Sequence, residues 1–168
     1  MRLASACLAA GLLFGVSPAF AQNAKLLKTF DDWQVFVHEA NDDKVCFAAS
    51  APKETSPKKG VNRGSIFLYL TTWHKDKVRN EVSFKVGYTL KPESVPTLSV
   101  GSQQFELYAK DDKAFMRDPA DEKKLLDAMR KGSTLTMKGT SNRGTNTEDK
   151  YSLRGLTAAL THVEQACP

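Results

Sequence analysis

Two cysteines constrain this chain more than any other residues. Cys7 lies inside an apolar N-terminal run, which leaves Cys46 and Cys167 for the rest of the protein. The chain opens Met1-Arg2, stays apolar from Leu3 to Val16 and reaches Ala19-Phe20-Ala21. A charged start, a hydrophobic stretch too short to span a bilayer comfortably and an Ala-x-Ala site describe a secretory signal peptide over 1–21. The same brevity argues against a membrane anchor. Cys7 stands too near the N-terminus for a lipoprotein cysteine and is expected to leave with the leader. In an oxidising compartment Cys46 and Cys167 then read as a disulfide with one possible connectivity. That bond closes nearly the whole mature chain into one loop, stabilising it by up to ~4–5 kcal/mol in the chain-entropy account. The competing reading is a metal pair or a catalytic thiol, but no His stands at ligand spacing beside either cysteine.

Residues 22–168 have the length of one domain with a substantial core. The formal charge is +5, one unit of which belongs to Arg2 in the leader. Such a mildly basic balance is not that of a nucleic-acid binder, and secretion points the same way. It allows a weak attraction to phospholipid headgroups or acidic glycans.

Most of the chain is short alternating segments. Trp33, Val35 and Val37 alternate with Gln34, Phe36 and His38, which predicts a strand with one apolar face. Asn41-Asp42-Asp43 supplies turn chemistry. Lys44–Ser50 returns as a strand with small or apolar residues on both faces, so it belongs in the interior of a sheet. Residues 51–63 read as a loop with Pro52, Pro57 and Gly60. Further strands are expected over 65–72, 81–88 and 114–117. Thr97–Ala109 predicts a hairpin: Gly101-Ser102 suits a type II′ turn, placing Leu98 opposite Phe105 and Val100 opposite Gln103.

Asp118–Gly132 carries the signs of a helix. Asp118 suits the N-cap and Pro119 the first turn; Asp121 and Glu122 lie at the positive end of the dipole and Arg130 and Lys131 at the negative end. Gly132 fits just past the end. Leu125, Leu126 and Met129 form its apolar stripe. Residues 133–139 return to strand, with Leu135 and Met137 inward. Lys138–Lys150 reads as a polar connection with Arg143 exposed, leading to a short strand and a terminal helix. There Leu156, Ala159, Leu160, Val163 and Cys167 fall on one face, which turns Cys167 toward the core and supports its bond to Cys46. About nine short strands and two helices predict a mainly β, antiparallel sandwich or barrel.

No enzyme motif appears. His38, His74 and His162 stand alone in sequence, and His38-Glu39 lacks the second His of a zinc helix. Gly139-Thr-Ser141-Asn-Arg-Gly144 has the wrong spacing for a nucleophile elbow. The acidic pairs read as turns, and Asn41-Asp-Asp-Lys44 lacks the alternating oxygens of a calcium loop. No catalytic residue, metal site or cofactor is therefore expected. The basic residues Lys58, Lys59, Arg63, Arg79 and Arg143 are the candidate contacts. For the charges over 53–63 a solvated loop is the favoured reading over a docking patch.

Several strings resemble one family in order along the chain: Asp32-Trp33-Gln34-Val35, Val45-Cys46, Arg79-Asn80-Glu81-Val82, Gly87-Tyr88, Phe105-Glu106-Leu107 and Ala128-Met-Arg-Lys-Gly-Ser133. Lys138-Gly-Thr-Ser-Asn-Arg-Gly-Thr-Asn-Thr147, Tyr151-Ser-Leu-Arg-Gly-Leu-Thr-Ala-Ala-Leu160 and Ala166-Cys167 complete the set. The mature chain thereby resembles the invasion-associated locus B family. The resemblance implies a secreted Gram-negative protein, periplasmic or associated with the outer membrane, folded as an immunoglobulin-like β-sandwich. Pathogenic members give the family its link to host-cell invasion, and it supplies no catalytic residues. The expectation is a non-enzymatic binding module for an envelope or host-surface component, without nucleic acid and without a transmembrane segment in the mature chain. The alternative is an envelope-homeostasis factor, or an enzyme whose site has no recognised motif.

Overall fold

The computed structural model describes residues 24–40, 43–58, 61–118 and 120–168. The predicted leader over 1–21, the predicted turn residues Asn41 and Asp42, Lys59, Gly60 and Pro119 lie outside the described residues.

The strands are β1 (Lys25–Phe30), β2 (Trp33–Ala40), β3 (Asp43–Ser50), β4 (Glu54–Ser56), β5 (Phe67–Trp73), β6 (Val78–Lys85), β7 (Thr97–Val100), β8 (Gln103–Lys110) and β9 (Lys113–Met116). Helix α1 (Ala120–Lys131) follows, then β10 (Thr134–Thr140), β11 (Asn146–Ser152) and helix α2 (Leu156–Ala166). The strands form one continuous open ladder in the order β1-β2-β3-β5-β6-β9-β8-β7-β10-β11-β4. Each pairing is antiparallel. The mainly β, antiparallel character and the two helices agree with the expectation. The separate sheets of an immunoglobulin-like sandwich do not follow from this strand order.

Alternation fixes which face is inside. Trp33, Val35, Cys46, Ala48, Leu68, Leu70, Val82, Phe84 and Val86 share a core with Leu98, Val100, Leu107, Leu135, Met137 and Tyr151. Residues from both halves of the ladder therefore meet. Phe84 on β6 touches Tyr151 on β11 edge to face, with ring centroids 5.8 Å apart. The Trp33 indole on β2 donates to the Ser152 carbonyl at 3.1 Å. Leu125, Ala128 and Met129 of α1 enter the same core, as do Leu156, Ala159, Leu160 and Val163 of α2.

The predicted hairpin is present in the predicted register, Leu98 opposite Phe105 and Val100 opposite Gln103, with Gly101 at φ 59°. Asp118 Oδ1 accepts from the Ala120 amide at 2.9 Å, as an N-cap should. The stripe on α2 delivers Cys167 to β3, where it is bonded to Cys46 with Cα atoms 6.0 Å apart across a separation of 121 residues. Both cysteines are fully buried.

Three strand segments were not read from the sequence. Lys25–Phe30 is an edge strand without alternation, paired to β2 through a register shift. The loop over 51–63 contains β4, which covers the other edge against β11. Most of Lys138–Lys150 is a hairpin: β10 and β11 pair from Thr134 opposite Ser152 to Thr140 opposite Asn146, and only residues 141–145 turn. The inward residues of β11 are Thr147, Asp149 and Tyr151, so hydropathy alone does not mark it as a strand.

Candidate functional site

The buried face of β11 requires an explanation, because Asp149 is fully buried. A lone carboxylate there would carry a large desolvation cost. Arg63 removes it. Its Nη1 and Nη2 donate to Asp149 Oδ1 and Oδ2 at 2.7 and 2.6 Å. Its Nε and Nη2 also donate to the Val86 carbonyl at 3.2 and 2.8 Å. The guanidinium lies 5.1 Å from the centroid of the Tyr88 ring. Its side chain is 8 % exposed, so the fork is turned inward rather than offered to solvent. Burial works against the arginine's charge, but the Asp149 hydrogen bonds and negative charge outweigh it and hold the guanidinium above its ordinary pKa.

Tyr88 extends the arrangement. Thr147 Oγ1 donates to the Gly139 carbonyl at 3.3 Å, so the Tyr88 hydroxyl, 2.6 Å from Thr147 Oγ1, is the donor to threonine. Burial raises the phenol pKa, against the opposing pull of Thr147 and Arg63. Gly87 makes this placement possible. It has φ 76°, and a Cβ there would stand 2.6 Å from the Gly64 carbonyl oxygen. The segment before β5 and the segment after β6 meet at that point, with the Gly64 amide donating to the Gly87 carbonyl at 2.7 Å.

Above this base opens a cleft of about 400 Å³, rimmed by Asn62, Thr89, Asn142, Arg143 and Thr145, with Arg63, Tyr88 and Thr147 below. Ser141 holds the rim in shape: its backbone amide donates to the Thr145 carbonyl at 2.8 Å, and its hydroxyl accepts from the Thr145 amide at 3.1 Å. Arg143 is exposed at the tip of the β10–β11 turn. The cleft therefore presents hydroxyls, amides and one exposed guanidinium above a neutralised ion pair. The Asp149 carboxylate is fully engaged by Arg63, so these groups offer hydrogen bonds and positive charge.

Two of the basic residues singled out in the sequence, Arg63 and Arg143, thus line one cleft in different roles. Lys58 is exposed beside β4, and Lys59 lies outside the described residues. Arg79 is exposed near the start of β6, whose far end leads to the cleft, and its Nη1 donates to the Cys167 carbonyl at 3.4 Å. Sequence reading missed Asp149, Tyr88 and Thr147 as parts of this site. The available signal was the alternation Thr147, Asp149, Tyr151 following a Gly-containing turn. Among the described residues no group of three or more His, Cys, Asp or Glu is placed to hold a metal ion. No helix among them is long and apolar enough to cross a membrane.

Fold and site together define a class: an antiparallel β domain closed by a long-range disulfide, with a polar cleft built over a buried Arg–Asp pair. The chain belongs to the family described as Invasion associated locus B (IalB) protein, whose model matches residues 33–164, from the start of β2 to near the end of α2. No curated protein and no solved structure matches the chain.

Proposed function

We propose that this is a non-catalytic binding module of the bacterial envelope, reaching the periplasm or outer membrane by way of the leader over 1–21. It uses the cleft beneath Arg143 to hold an anionic or hydroxyl-rich group of an envelope component. The observation that carries this reading is the rim itself: Asn142, Arg143 and Thr145 project from a short turn fixed by Ser141, above a base whose own charges are mutually satisfied. A rigid, polar, cation-bearing rim suits recognition, because little ordering entropy is lost on binding. Family membership and the buried disulfide support an envelope location. Contacts between the two halves of the ladder, at Phe84–Tyr151 and Trp33–Ser152, support describing the domain as sandwich-like.

The test is photocrosslinking from position 142 in intact envelopes. A specific adduct is expected, and Arg143→Glu should reduce its yield at least several-fold. Absence of any adduct, or a yield indifferent to Arg143→Glu, would overturn the assignment of the cleft. A second reading, host-cell invasion or adhesion, is favoured by the family match. A deletion strain that adheres to and invades host cells as well as its parent would remove it.

A further inference from the structure

The face of the sheet opposite the core carries rings where an antiparallel sheet ordinarily carries polar residues. Phe36 on β2 stacks on Phe47 on β3, with centroids 5.2 Å apart. Phe47 meets Tyr69 on β5 at 5.9 Å, and Tyr69 meets Phe67 at 5.7 Å. The register continues from Tyr69 to Ser83 on β6, Phe115 on β9 and Tyr108 on β8, where the last two rings stack at 5.4 Å. Cross-strand aromatic pairs stabilise a sheet, which accounts for the half-buried rings. It does not account for what surrounds them. Of the six large apolar side chains left exposed among the described residues, four lie on this face: Leu26 opposite Phe36, Trp73 and Val78 opposite each other, and Tyr108.

A row of lysines lies beside the rings. Phe67, Lys85, Lys113 and Lys110 occupy one cross-strand register over β5, β6, β9 and β8. Lys85 is 3.6 Å from Asp112, whereas Lys110 and Lys113 are exposed and form no ion pair among the described residues. Exposed Tyr108 beside Lys110 and Lys113, with exposed Trp73, Val78 and Leu26 farther along the same face, matches an anionic bilayer surface. Aromatic and aliphatic tips settle at the headgroup level and lysines meet lipid phosphates.

We propose that the outer face of β1-β2-β3-β5-β6-β9-β8 docks peripherally on an anionic lipid bilayer through Trp73, Tyr108 and the Lys110–Lys113 pair. The face is distinct from the Arg143 cleft, so its test leaves the cleft reading untouched. The mature protein is mixed with phosphatidylglycerol-containing vesicles and with phosphatidylcholine vesicles, and binding is read by co-sedimentation and Trp fluorescence. Trp33 is fully buried and Trp73 is 37 % exposed, so a blue shift reports Trp73 and should vanish in Trp73→Phe. Binding is expected for the anionic vesicles and should weaken with salt. Lys110→Glu with Lys113→Glu should lower affinity on the order of 10-fold or more. Lys123→Glu with Lys131→Glu, the same charge change on α1, should have a much smaller effect. Three results would overturn the proposal: no anionic-vesicle binding, equal losses in the two double variants, or an unshifted Trp73. A dimer dissolved by Tyr108→Ser would also overturn it, by assigning the face to a second copy.

Discussion

Arg63 and Asp149 show how much one buried pair can demand of its surroundings. With both oxygens of Asp149 bound bidentately, removing either partner strands a charge in the core. Asp149→Ala should therefore cost about 3–5 kcal/mol of unfolding free energy, measured by denaturant titration. Arg63→Met combined with Asp149→Leu should recover part of that loss and not all of it, because the Val86 carbonyl loses both of its arginine donors. Asp32 behaves differently. Hydrogen bonds from Lys53 and then Ser152 hold its carboxyl below the usual aspartate range, against the opposing effect of burial. Its folded pKa is depressed, so it contributes stability above about pH 4 that is lost as pH falls through the lower folded value. Thermal melts across the acid range should show Asp32→Asn flattening that decline. An unchanged acid limb would contradict the assignment.

At the level of elements, the junction between β11 and α2 is the most constrained. Gly155 begins the helix at φ 90°, and a Cβ there would run into the carbonyl oxygen of Phe30 on β1. No rotamer change relieves a backbone contact. Gly155→Ala should thus destabilise by about 2–4 kcal/mol, combining left-handed strain with the clash, and Tm should fall accordingly. The same junction gives a physical reason for the string Tyr151-Ser-Leu-Arg-Gly-Leu: Tyr151, Leu153 and Leu156 are buried, and Gly155 lets the chain turn beneath β1. Glu122 ties α1 to the sheet in a comparable way. Its Oε1 accepts from the Val82 amide at 2.7 Å, above the stretch where β9 pairs with β6.

Across the whole molecule, the disulfide joins β3, an interior strand, to the last buried residue of the chain. Thiol labelling of the denatured, unreduced protein should find neither Cys46 nor Cys167 free. The paired substitution Cys46→Ala with Cys167→Ala should cost up to ~4–5 kcal/mol, less whatever structure the denatured chain retains. Much of this architecture was legible in the sequence. The cysteine parity, the α2 stripe ending at Cys167, the Leu98–Phe105 register and the capped α1 each follow from local rules of period and turn chemistry. Those rules act over a few residues, so one chain is enough to read them. They do not reveal that Asp149 is neutralised by Arg63 from 86 residues away, that β4 pairs with β11, or that rings from β2, β3, β5, β9 and β8 share one face. Each of those depends on strand order. Strand order in an antiparallel ladder is set by how the complete core packs, and only the tertiary structure supplies it.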